Sequence, residues 1–357
     1  MNPETHLHTD VLIVGKGVSG LVLSYLLEKK GINVAFLDKE TNTSKIILAE
    51  TIPPSTLALL DQLQLLSVFE SCATKTYGYQ SIWNSNQIHE ETFFKHNPFK
   101  HGLKLNKKQL INTLEKQLNS KVINYQTLKE LQITEQGVVS KIQLDNNIQT
   151  ISSKLIIDGT GRNRAVLNTL KIPTQTLDDT IAFICYVPKT NATLKYGFFT
   201  ETFNDGWGTV SDLNETTRIL TIYTSKSNSM YKKLKHYNNW KDVLTETQVL
   251  KKHLPNTTIN YKVVGRLANS SIAKKITGSK WLAIGDAAMA FDPISSHGIS
   301  NALFCTHKAS IAIDDFLSKK NNKAFTTYEH ILSTIFKEYY RIKEELYTTL
   351  KTEKAVH

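Results

Sequence analysis

A short apolar run followed at once by a glycine-rich turn constrains the fold of this chain more than any other stretch. The run is Val11 to Val14, and the turn after it reads Gly15-Lys16-Gly17-Val18-Ser19-Gly20. In a G-x-G-x-x-G turn the first glycine makes the bend, the second lets a pyrophosphate approach the backbone, and the third lets the helix pack closely on its strand. We therefore predict a dinucleotide-binding βαβ unit, with cofactor contacts at Gly15, Gly17, Val18, Ser19 and Gly20.

The residues after the turn complete this unit. Apolar residues from Leu21 to Leu27 form one side of a helix that ends at Lys29-Lys30-Gly31, and Ile32 to Leu37 is typical of a second strand. Asp38 follows this strand, near the offset of about 20 residues expected of the acid that accepts the ribose hydroxyls. We predict cofactor contacts at Asp38 and at the neighbouring Lys39.

The composition argues against several other classes of protein. The net charge is +11, but only five of the 43 basic residues are arginines and the lysines are scattered, so we expect no nucleic-acid partner. Cys72, Cys185 and Cys305 form no CxxC pair, so we expect neither a disulfide framework nor a metal site. No apolar stretch approaches the roughly 20 residues of a transmembrane helix, and we expect a cytoplasmic protein without a membrane span.

Hydrophobic periodicity predicts further elements along the chain. Helices are predicted over 56–69, 105–118, about 240–253 and 299–317, with one or two more over 322–354. Strands are predicted over 77–83, 91–94, 122–125, 130–134, 137–144 and 150–157, after a polar loop over 41–45. Four strands over 181–188, 194–202, 206–212 and 218–224 are predicted to form one antiparallel sheet, and 281–284 then returns to the first domain. Because no linker separates these segments, we predict that the sheet is inserted into the dinucleotide-binding domain.

Two later glycine turns also follow predicted strands. One is Asp158-Gly159-Thr160-Gly161-Arg162, and the other begins at Gly285-Asp286 and runs on to Asp292-Pro293-Ile294-Ser295-Ser296-His297-Gly298-Ile299. With these turns the chain resembles flavoproteins of the p-hydroxybenzoate hydroxylase type, and more narrowly the branch of tryptophan halogenases and their non-halogenating relatives. The resemblance covers nearly the whole chain. It implies an α/β fold with an FAD-binding Rossmann-like domain, an inserted antiparallel β-sheet substrate domain and a C-terminal helical tail.

The resemblance also implies how FAD is held. Asp286 would contact the ribityl chain, and the amides of Gly298 and Ile299 would meet the pyrimidine edge of the flavin, where the reduced ring carries negative charge. Lys107 stands near a position where the family often has an arginine that reaches the flavin. The predicted cofactor contacts are completed by Asp158, Gly285 and Pro293. We place the FAD-binding domain at 1–76, 101–176 and 268–320, the substrate domain at 77–100 and 177–267, and the tail at 321–357.

The narrowest resemblance is to maturation flavoproteins that modify protein-bound tryptophan for quinone-cofactor enzymes, amine oxidases among them. It rests on Tyr77-Gly78-Tyr79-Gln80-Ser81-Ile82-Trp83, on Asp205-Gly206-Trp207 and on the turns at 158–162 and 292–299. We predict substrate contacts at Gln80, Trp83 and Trp207. The predicted catalytic residues are His297, Ser295 and Ser296. His297 replaces a glutamine that is usual in those proteins, and serine hydroxyls bonded only to the backbone remain an alternative.

Halogenases that resemble this chain have three features that it lacks. They carry a lysine at the place of Thr76, with Lys75 one position off, and a glutamate at the place of Ser295. Their Trp-x-Trp-x-Ile-Pro motif is reduced here to Trp207-Gly208-Thr209-Val210-Ser211-Asp212. Halogenation is therefore a less favoured reaction.

We expect a monooxygenase that forms a flavin hydroperoxide and hydroxylates an indole- or phenol-like substrate, either a small molecule or a protein-bound tryptophan. Only one dinucleotide fingerprint occurs, so electrons would come from transiently bound NAD(P)H or from a separate flavin reductase. Three alternatives stay open besides this one: a lycopene-cyclase-like flavoprotein that acts on a carotenoid without net redox, a halogenase, and a flavin-binding interaction module.

Overall fold

The computed structural model describes residues 7–39, 48–145, 147–204 and 206–352, with side chains in the last segment as far as residue 348. The predicted loop over 41–45 and Asp205 lie outside the described residues. No helix in these segments is both long and apolar enough to cross a membrane.

The structure contains strands and helices over most of this length. The strands are β1 Leu7–Val14, β2 Val34–Lys39, β3 Glu50–Ile52, β4 Ala73–Thr76, β5 Gly78–Ile82, β6 His89–Thr92, β7 Gly102–Leu105, β8 Lys121–Tyr125, β9 Thr127–Ile133, β10 Val138–Leu144, β11 Asn147–Asp158, β12 Thr174–Thr176, β13 Thr180–Pro188, β14 Phe198–Phe203, β15 Gly206–Asp212, β16 Thr217–Ser225, β17 Val263–Leu267, β18 Ser271–Ala273, β19 Trp281–Ala283 and β20 Met289–Ala290. The helices are α1 Val18–Glu28, α2 Pro54–Gln62, α3 Leu66–Ser71, α4 Lys107–Glu115, α5 Ala165–Thr169, α6 Tyr237–Thr245, α7 Gly298–Lys319 and α8 Ala324–Thr352.

Parallel strands form the centre of the first sheet. Their order is β8-β2-β1-β11, with β19 parallel to the end of β11 and with β10 and β9 continuing antiparallel beyond it. Ile13 pairs with Phe36 on one side and with Ile157 on the other, and all three side chains are fully buried. Strands buried on both faces need such continuous apolar runs. The predicted βαβ unit is therefore the centre of the larger of the protein's apolar clusters, called the larger core below.

The second large sheet has the order β17-β13-β16-β15-β14-β5-β6. Side chains alternate between its two faces, so each strand contributes to two separate apolar clusters. One face packs Phe183, Leu220 and Ile222 against Trp240 of α6. The opposite face carries a smaller cluster with the three buried aromatic or branched residues Trp207, Ile219 and Tyr223. The four strands predicted to form one antiparallel sheet are β13, β14, β15 and β16, and their neighbouring pairs are all antiparallel, as predicted. The sheet continues with β17 and with β5 and β6, and β5 pairs with β14 in parallel.

Two predicted helices are interrupted. Residues 56–69 form α2 and α3, which are separated at Gln64, where a φ of 59° puts the backbone in the left-handed region that ends a helix. The predicted helix over 240–253 ends at Thr245, and a 3-10 helix follows over Leu250–His253. The amides of Gln248, Val249 and Leu250 donate to the buried carboxylate of Glu201 and do not continue the helix.

Other predicted elements differ at their ends. The predicted helix over 105–118 is α4, which is shorter because Leu105 is the last residue of β7 and the Asn106 side chain caps the helix. The tail over 322–354 is one helix, α8. Leu332 and Phe336 of α8 are buried in the larger core, so the tail packs against the rest of the protein.

Candidate active site

Three turns meet at the carboxyl edge of the parallel strands. The Gly15 amide donates to Leu37 O at 2.7 Å, and the Gly159 amide donates to Val14 O at 2.8 Å. The Ile284 amide donates to Asp158 O at 2.9 Å. These backbone bonds join the ends of β1, β2, β11 and β19 in one place. The carboxyl edge of a parallel sheet is where such folds bind their ligands.

The three glycines of the first turn have different surroundings. A Cβ on Gly15, where φ is +101°, would lie 2.6 Å from Gly159 O, and a Cβ on Gly20 would lie 2.3 Å from Gly15 O. A Cβ on Gly17 would meet no protein atom within 4 Å. The fold itself thus requires the first and third glycines. The second one leaves open backbone at the N-terminus of α1, which is the approach that a pyrophosphate needs.

Asp38 and Lys39 lie at the end of β2 beside this turn. The Lys16 amide donates to Asp38 Oδ1 at 3.4 Å, while the Lys16 ammonium pairs with Glu115 of α4 at 2.7 Å. Lys39 is exposed. Val18 and Ser19 occupy the first turn of α1, and a Cβ on Gly285 would lie 2.5 Å from Ser19 Oγ. The structure therefore places the turn at Gly285 directly against the start of α1.

Asp158, a predicted cofactor contact, is used by the protein itself. Its side chain is fully buried and accepts hydrogen bonds from the Thr160 amide at 3.0 Å and the Thr160 hydroxyl at 2.6 Å. It also accepts from the amides of Val166 and Leu167 at 2.9 and 3.0 Å. Four donors satisfy both carboxylate oxygens, so we correct the prediction: Asp158 holds the start of α5 and the turn at 159–164, and it presents no free oxygen to a ligand.

Asp286 has the opposite environment. Its side chain is 37% exposed, and its Oδ2 lies 3.5 Å from Nε of Arg162. The same arginine donates to Asn269 O at 2.5 Å and to Phe291 O at 2.8 Å. Arg162 thus ties the turn at Asp286 to the segment that leads into α7, while the carboxylate stays accessible to a ligand.

The turn that leads into α7 begins at Asp292 and ends at His297. Pro293 starts a 3-10 helix that Asp292 caps by accepting from the Ile294 amide at 3.0 Å. His297 is the N-cap of α7, and its side chain is exposed. Gly298 and Ile299 are the first residues of this 22-residue helix, whose leading amides have no acceptor within the helix. Together with the helix dipole they form a position that favours negative charge.

Ser295 and Ser296 are predicted catalytic residues, and the structure gives Ser295 a structural role in the turn. The Ser295 hydroxyl donates to Asp292 O at 2.9 Å and accepts from the His297 amide at 3.3 Å. Ser295 therefore stabilises the turn, as the backbone alternative states, and we correct its predicted catalytic role. Ser296 is exposed and has a φ of 52°, in the left-handed region.

Lys107 pairs with a carboxylate that the sequence did not identify. Its ammonium lies 2.9 Å from Glu50 Oε1 at the start of β3. Glu50 Oε2 is buried and has no hydrogen-bond partner among the described residues. A buried oxygen without a donor is costly unless a ligand supplies one. The Lys107–Glu50 pair is consequently a further candidate contact for the cofactor.

Trp83 and Trp207 lie together in the smaller cluster, on the face of the second sheet opposite α6. Their rings meet edge to face with centroids 6.2 Å apart, and Trp207 stacks on Tyr223 at 3.9 Å. The Trp207 indole nitrogen donates to the Tyr347 hydroxyl of α8 at 2.9 Å. The Trp83 indole nitrogen is buried and has no partner among the described residues. Ile294 packs on the same cluster, so these rings adjoin the turn that leads into α7.

Gln80, the third predicted substrate contact, lies on the other face of the sheet. Gln80 and Ile82 are two positions apart in β5 and therefore share a face, and Ile82 belongs to the core that packs on α6. The Gln80 amide donates to Glu90 of the neighbouring strand at 2.8 Å. The prediction for Gln80 is therefore corrected, because period-two alternation directs it away from Trp207.

Thr76 occupies the place where a halogenase would have a lysine. It is buried, and its hydroxyl donates to backbone oxygens of Gly78 at 3.3 Å and Tyr196 at 3.2 Å. No amine replaces it from Lys75, whose side chain is exposed. The structure thus adds no halogenase feature at this position.

Tyr347 and Asp292 are the residues that sequence reasoning missed in this region. Asp292 caps the turn through Oδ1, and its Oδ2 also accepts from the Tyr347 hydroxyl at 3.1 Å. Tyr347 is far away in the chain, in a tail for which the sequence predicts only helix. No local signal pairs these residues.

The groups at this edge of the sheet fit FAD. The N-terminus of α1 and the open backbone at Gly17 suit a pyrophosphate, and the carboxylates of Asp286 and of Asp38 suit ribityl and ribose hydroxyls. The N-terminus of α7 suits an electron-rich ring edge. The residues present would hold that cofactor between the first turn and the start of α7.

Comparisons with known proteins agree with this reading of the fold. A protein named as an FAD-dependent oxidoreductase, LodB of Marinomonas mediterranea, is 22% identical over 349 residues, which cover 95% of this chain and 92% of LodB. The solved structure of CmlS, a flavin-dependent halogenase, matches with a TM-score of 0.82 and 18% identity over 96% of this chain. This chain spans 64% of the CmlS chain.

A third similar structure is the peptidyl tryptophan dihydroxylase QhpG, described as essential for tryptophylquinone cofactor biogenesis. It matches with a TM-score of 0.74 and 16% identity, over 96% of this chain and 75% of that chain. The model of the family described as FAD binding domain matches residues 8–339. The predicted α/β fold with a Rossmann-like FAD-binding part is confirmed, and the chain belongs to the FAD binding domain family as an FAD-dependent oxidoreductase.

Proposed function

We propose that this oxidoreductase is a monooxygenase that hydroxylates an aromatic ring, and that tryptophan within a peptide is the first substrate to test. The observation that carries the proposal is the aromatic cluster of Trp83, Trp207 and Tyr223, which packs with Ile294 of the turn before α7. A ring bound at this cluster would lie next to the helix N-terminus that is suited to the flavin. The fold of QhpG, a peptidyl tryptophan dihydroxylase, supports the choice of substrate.

Bound FAD would supply the electrons that activate dioxygen, and NAD(P)H or a separate flavin reductase would replenish them. In the balanced reaction two electrons and two protons are consumed, one oxygen atom enters the ring and the other leaves as water. The protein residues position the ring and exclude water. The cluster around Trp207 is buried, which suits both tasks.

The proposal gives two side chains specific tasks. The indole N–H of Trp83, which has no partner in the part of the chain that the structure describes, would donate to an acceptor atom of the substrate, because a buried donor costs free energy until it is satisfied. His297, at the start of α7, would transfer a proton to or from the substrate, because an imidazole ring can both donate and accept one. Both tasks concern residues of this chain and can be removed by substitution.

The test is a single turnover. Enzyme with photoreduced FAD is mixed with labelled dioxygen and a tryptophan-containing peptide, free indole or a phenol, and the products are measured by mass spectrometry. Incorporation of one labelled oxygen atom into any of these rings is the expected result. Recovery of unchanged substrates with stoichiometric hydrogen peroxide would contradict the proposal.

Variants and additives separate the alternatives. Trp83→Phe should keep FAD and raise the KM for the hydroxylated substrate, whereas Trp240→Phe, a tryptophan buried beneath the opposite face of the sheet, should not. Addition of bromide should not change the products. A brominated product would favour halogenation, and isomerisation of a carotenoid without oxygen uptake would favour a cyclase.

A further inference from the structure

Three residues of the tail helix converge on one buried carboxylate. Tyr339, Lys343 and Tyr347 are spaced four apart in α8, so they lie along one face of the helix. The carboxylate belongs to Asp292, which is fully buried at the start of the turn that leads into α7. One face of the tail helix therefore touches one end of the candidate active site.

Each of these residues makes a distinct contact with Asp292. The Tyr339 hydroxyl accepts from the Asp292 amide at 2.6 Å, and the Tyr347 hydroxyl donates to Asp292 Oδ2 at 3.1 Å. The Lys343 ammonium lies 3.8 Å from the same oxygen and also binds Asp178. Lys343 is itself buried, so two carboxylates share a desolvated cation. Such a network is rigid because each member is costly to leave unpaired.

Tyr347 extends the network to the other side of the site. Its hydroxyl accepts from the Trp207 indole nitrogen at 2.9 Å while it donates to Asp292. A continuous chain of two hydrogen bonds thus runs from Trp207 through Tyr347 to Asp292. Trp207 belongs to the aromatic cluster, and Asp292 caps the turn that ends at His297.

We propose that the tail helix is a latch that positions both sides of the substrate site, with Tyr347 as the positioning residue between them. That this region is a substrate site rests on the proposed function. The contacts between the tail helix and the turn do not depend on it. Tyr347 is assigned no contact with the substrate, and it acts through its hydrogen bonds to Asp292 and Trp207.

The test compares two conservative variants of the same helix. Tyr347→Phe removes the hydroxyl that joins Asp292 to Trp207. Tyr340→Phe removes a hydroxyl about two helix turns earlier. That hydroxyl donates to Leu177 O at 3.3 Å rather than to Asp292. Hydrogen exchange measured by mass spectrometry reports on the turn, since the amides of Ile294, Ser295 and Ser296 are all bonded within it.

The expected result is exchange at residues 292–296 about tenfold faster in Tyr347→Phe, and unchanged in Tyr340→Phe and in the amides of β1. Asp292→Asn should have a similar effect, and the double variant should show less than the sum of the two, because both act on one hydrogen bond. Unchanged exchange in Tyr347→Phe, or equal acceleration by Tyr340→Phe, would overturn the latch.

A second readout connects the latch to the cofactor. If the amides at the start of α7 stabilise the reduced flavin, loosening the turn should lower the flavin midpoint potential and shift its absorption spectrum in Tyr347→Phe but not in Tyr340→Phe. Faster exchange together with an unchanged potential and spectrum would support the latch and contradict the placement of this turn at the flavin. The failure of the latch and that of the proposed function are thus distinguishable.

Discussion

Substitution of Gly17 by valine separates cofactor binding from folding. A Cβ at this position meets no protein atom within 4 Å, and the backbone is extended, with φ of −95° and ψ of −175°. Valine adopts that conformation without strain. It is a poor N-cap residue, so we expect the free energy of unfolding of the cofactor-free protein to fall by no more than about 1 kcal/mol.

The loss of FAD should be much larger. A branched side chain at the N-terminus of α1 would occupy the approach of the pyrophosphate and separate it from the leading amides of the helix. Losing two hydrogen bonds to a charged group costs about 3 to 6 kcal/mol in total. At 1.4 kcal/mol for each factor of ten, the dissociation constant should rise by about 10² to 10⁴.

The assay is titration of cofactor-free protein with FAD, followed by the quenching of flavin fluorescence, with thermal unfolding measured on the same samples. Gly265→Val is the matched control, because Gly265 lies in β17 and a Cβ there makes only an ordinary contact of 3.6 Å with Phe183. The control should bind FAD normally. Wild-type affinity in Gly17→Val would refute the assignment of this turn to the pyrophosphate, and loss of folding in Gly17→Val would refute the claim that the protein leaves room there.

Three further predictions concern single side chains. Asp286→Ala should weaken FAD binding by about 1.5 to 3 kcal/mol, since it removes a charged acceptor, and an unchanged dissociation constant from the same titration would remove Asp286 from the site. His297→Gln should keep FAD bound and lower turnover by at least about a hundredfold, measured as product formed per second; retention of full turnover would leave His297 as a shape element of the turn. Burial, reinforced by Arg218, lowers the pKa of His253 to about 4. The imidazole is therefore protonated near pH 6.5 in the unfolded chain but only near pH 4 in the folded protein. The free energy of unfolding should be highest above pH 6.5 and fall by roughly 3 kcal/mol as the pH falls toward 4, measured in denaturant titrations, and His253→Gln should reduce this pH dependence.

Local patterns were sufficient for much of the cofactor-binding region. The run from Val11 to Gly20 combines strand, turn and helix within ten residues, and each part has a physical requirement that the sequence displays. The same holds for the buried strand β11 and for the start of α7 at Gly298. Each of these predictions depends on residues that are neighbours in the chain.

Local patterns could not distinguish the two aspartates that adjoin glycine turns. Asp158 precedes Gly159 and ends a central strand, so its side chain points into the core and accepts four protein donors. Asp286 follows Gly285 and lies in a 3-10 helix that leaves it 37% exposed. Only the packing of α5 against the end of β11 decides which carboxylate remains available.

Contacts between distant residues explain the remaining differences. The domain boundaries predicted from the sequence set the tail at 321–357 apart from the FAD-binding domain. Tyr328, Leu332 and Phe336 of α8 are nevertheless buried in the larger core, and Tyr347 reaches the aromatic cluster of the second sheet. One helix therefore packs on the larger core and on the smaller cluster of the second sheet. Its loss would expose core surface and leave Asp292 without the donor from Tyr347. The turn before α7 and the rings that face it depend on a segment that no local pattern in the sequence connects to either of them.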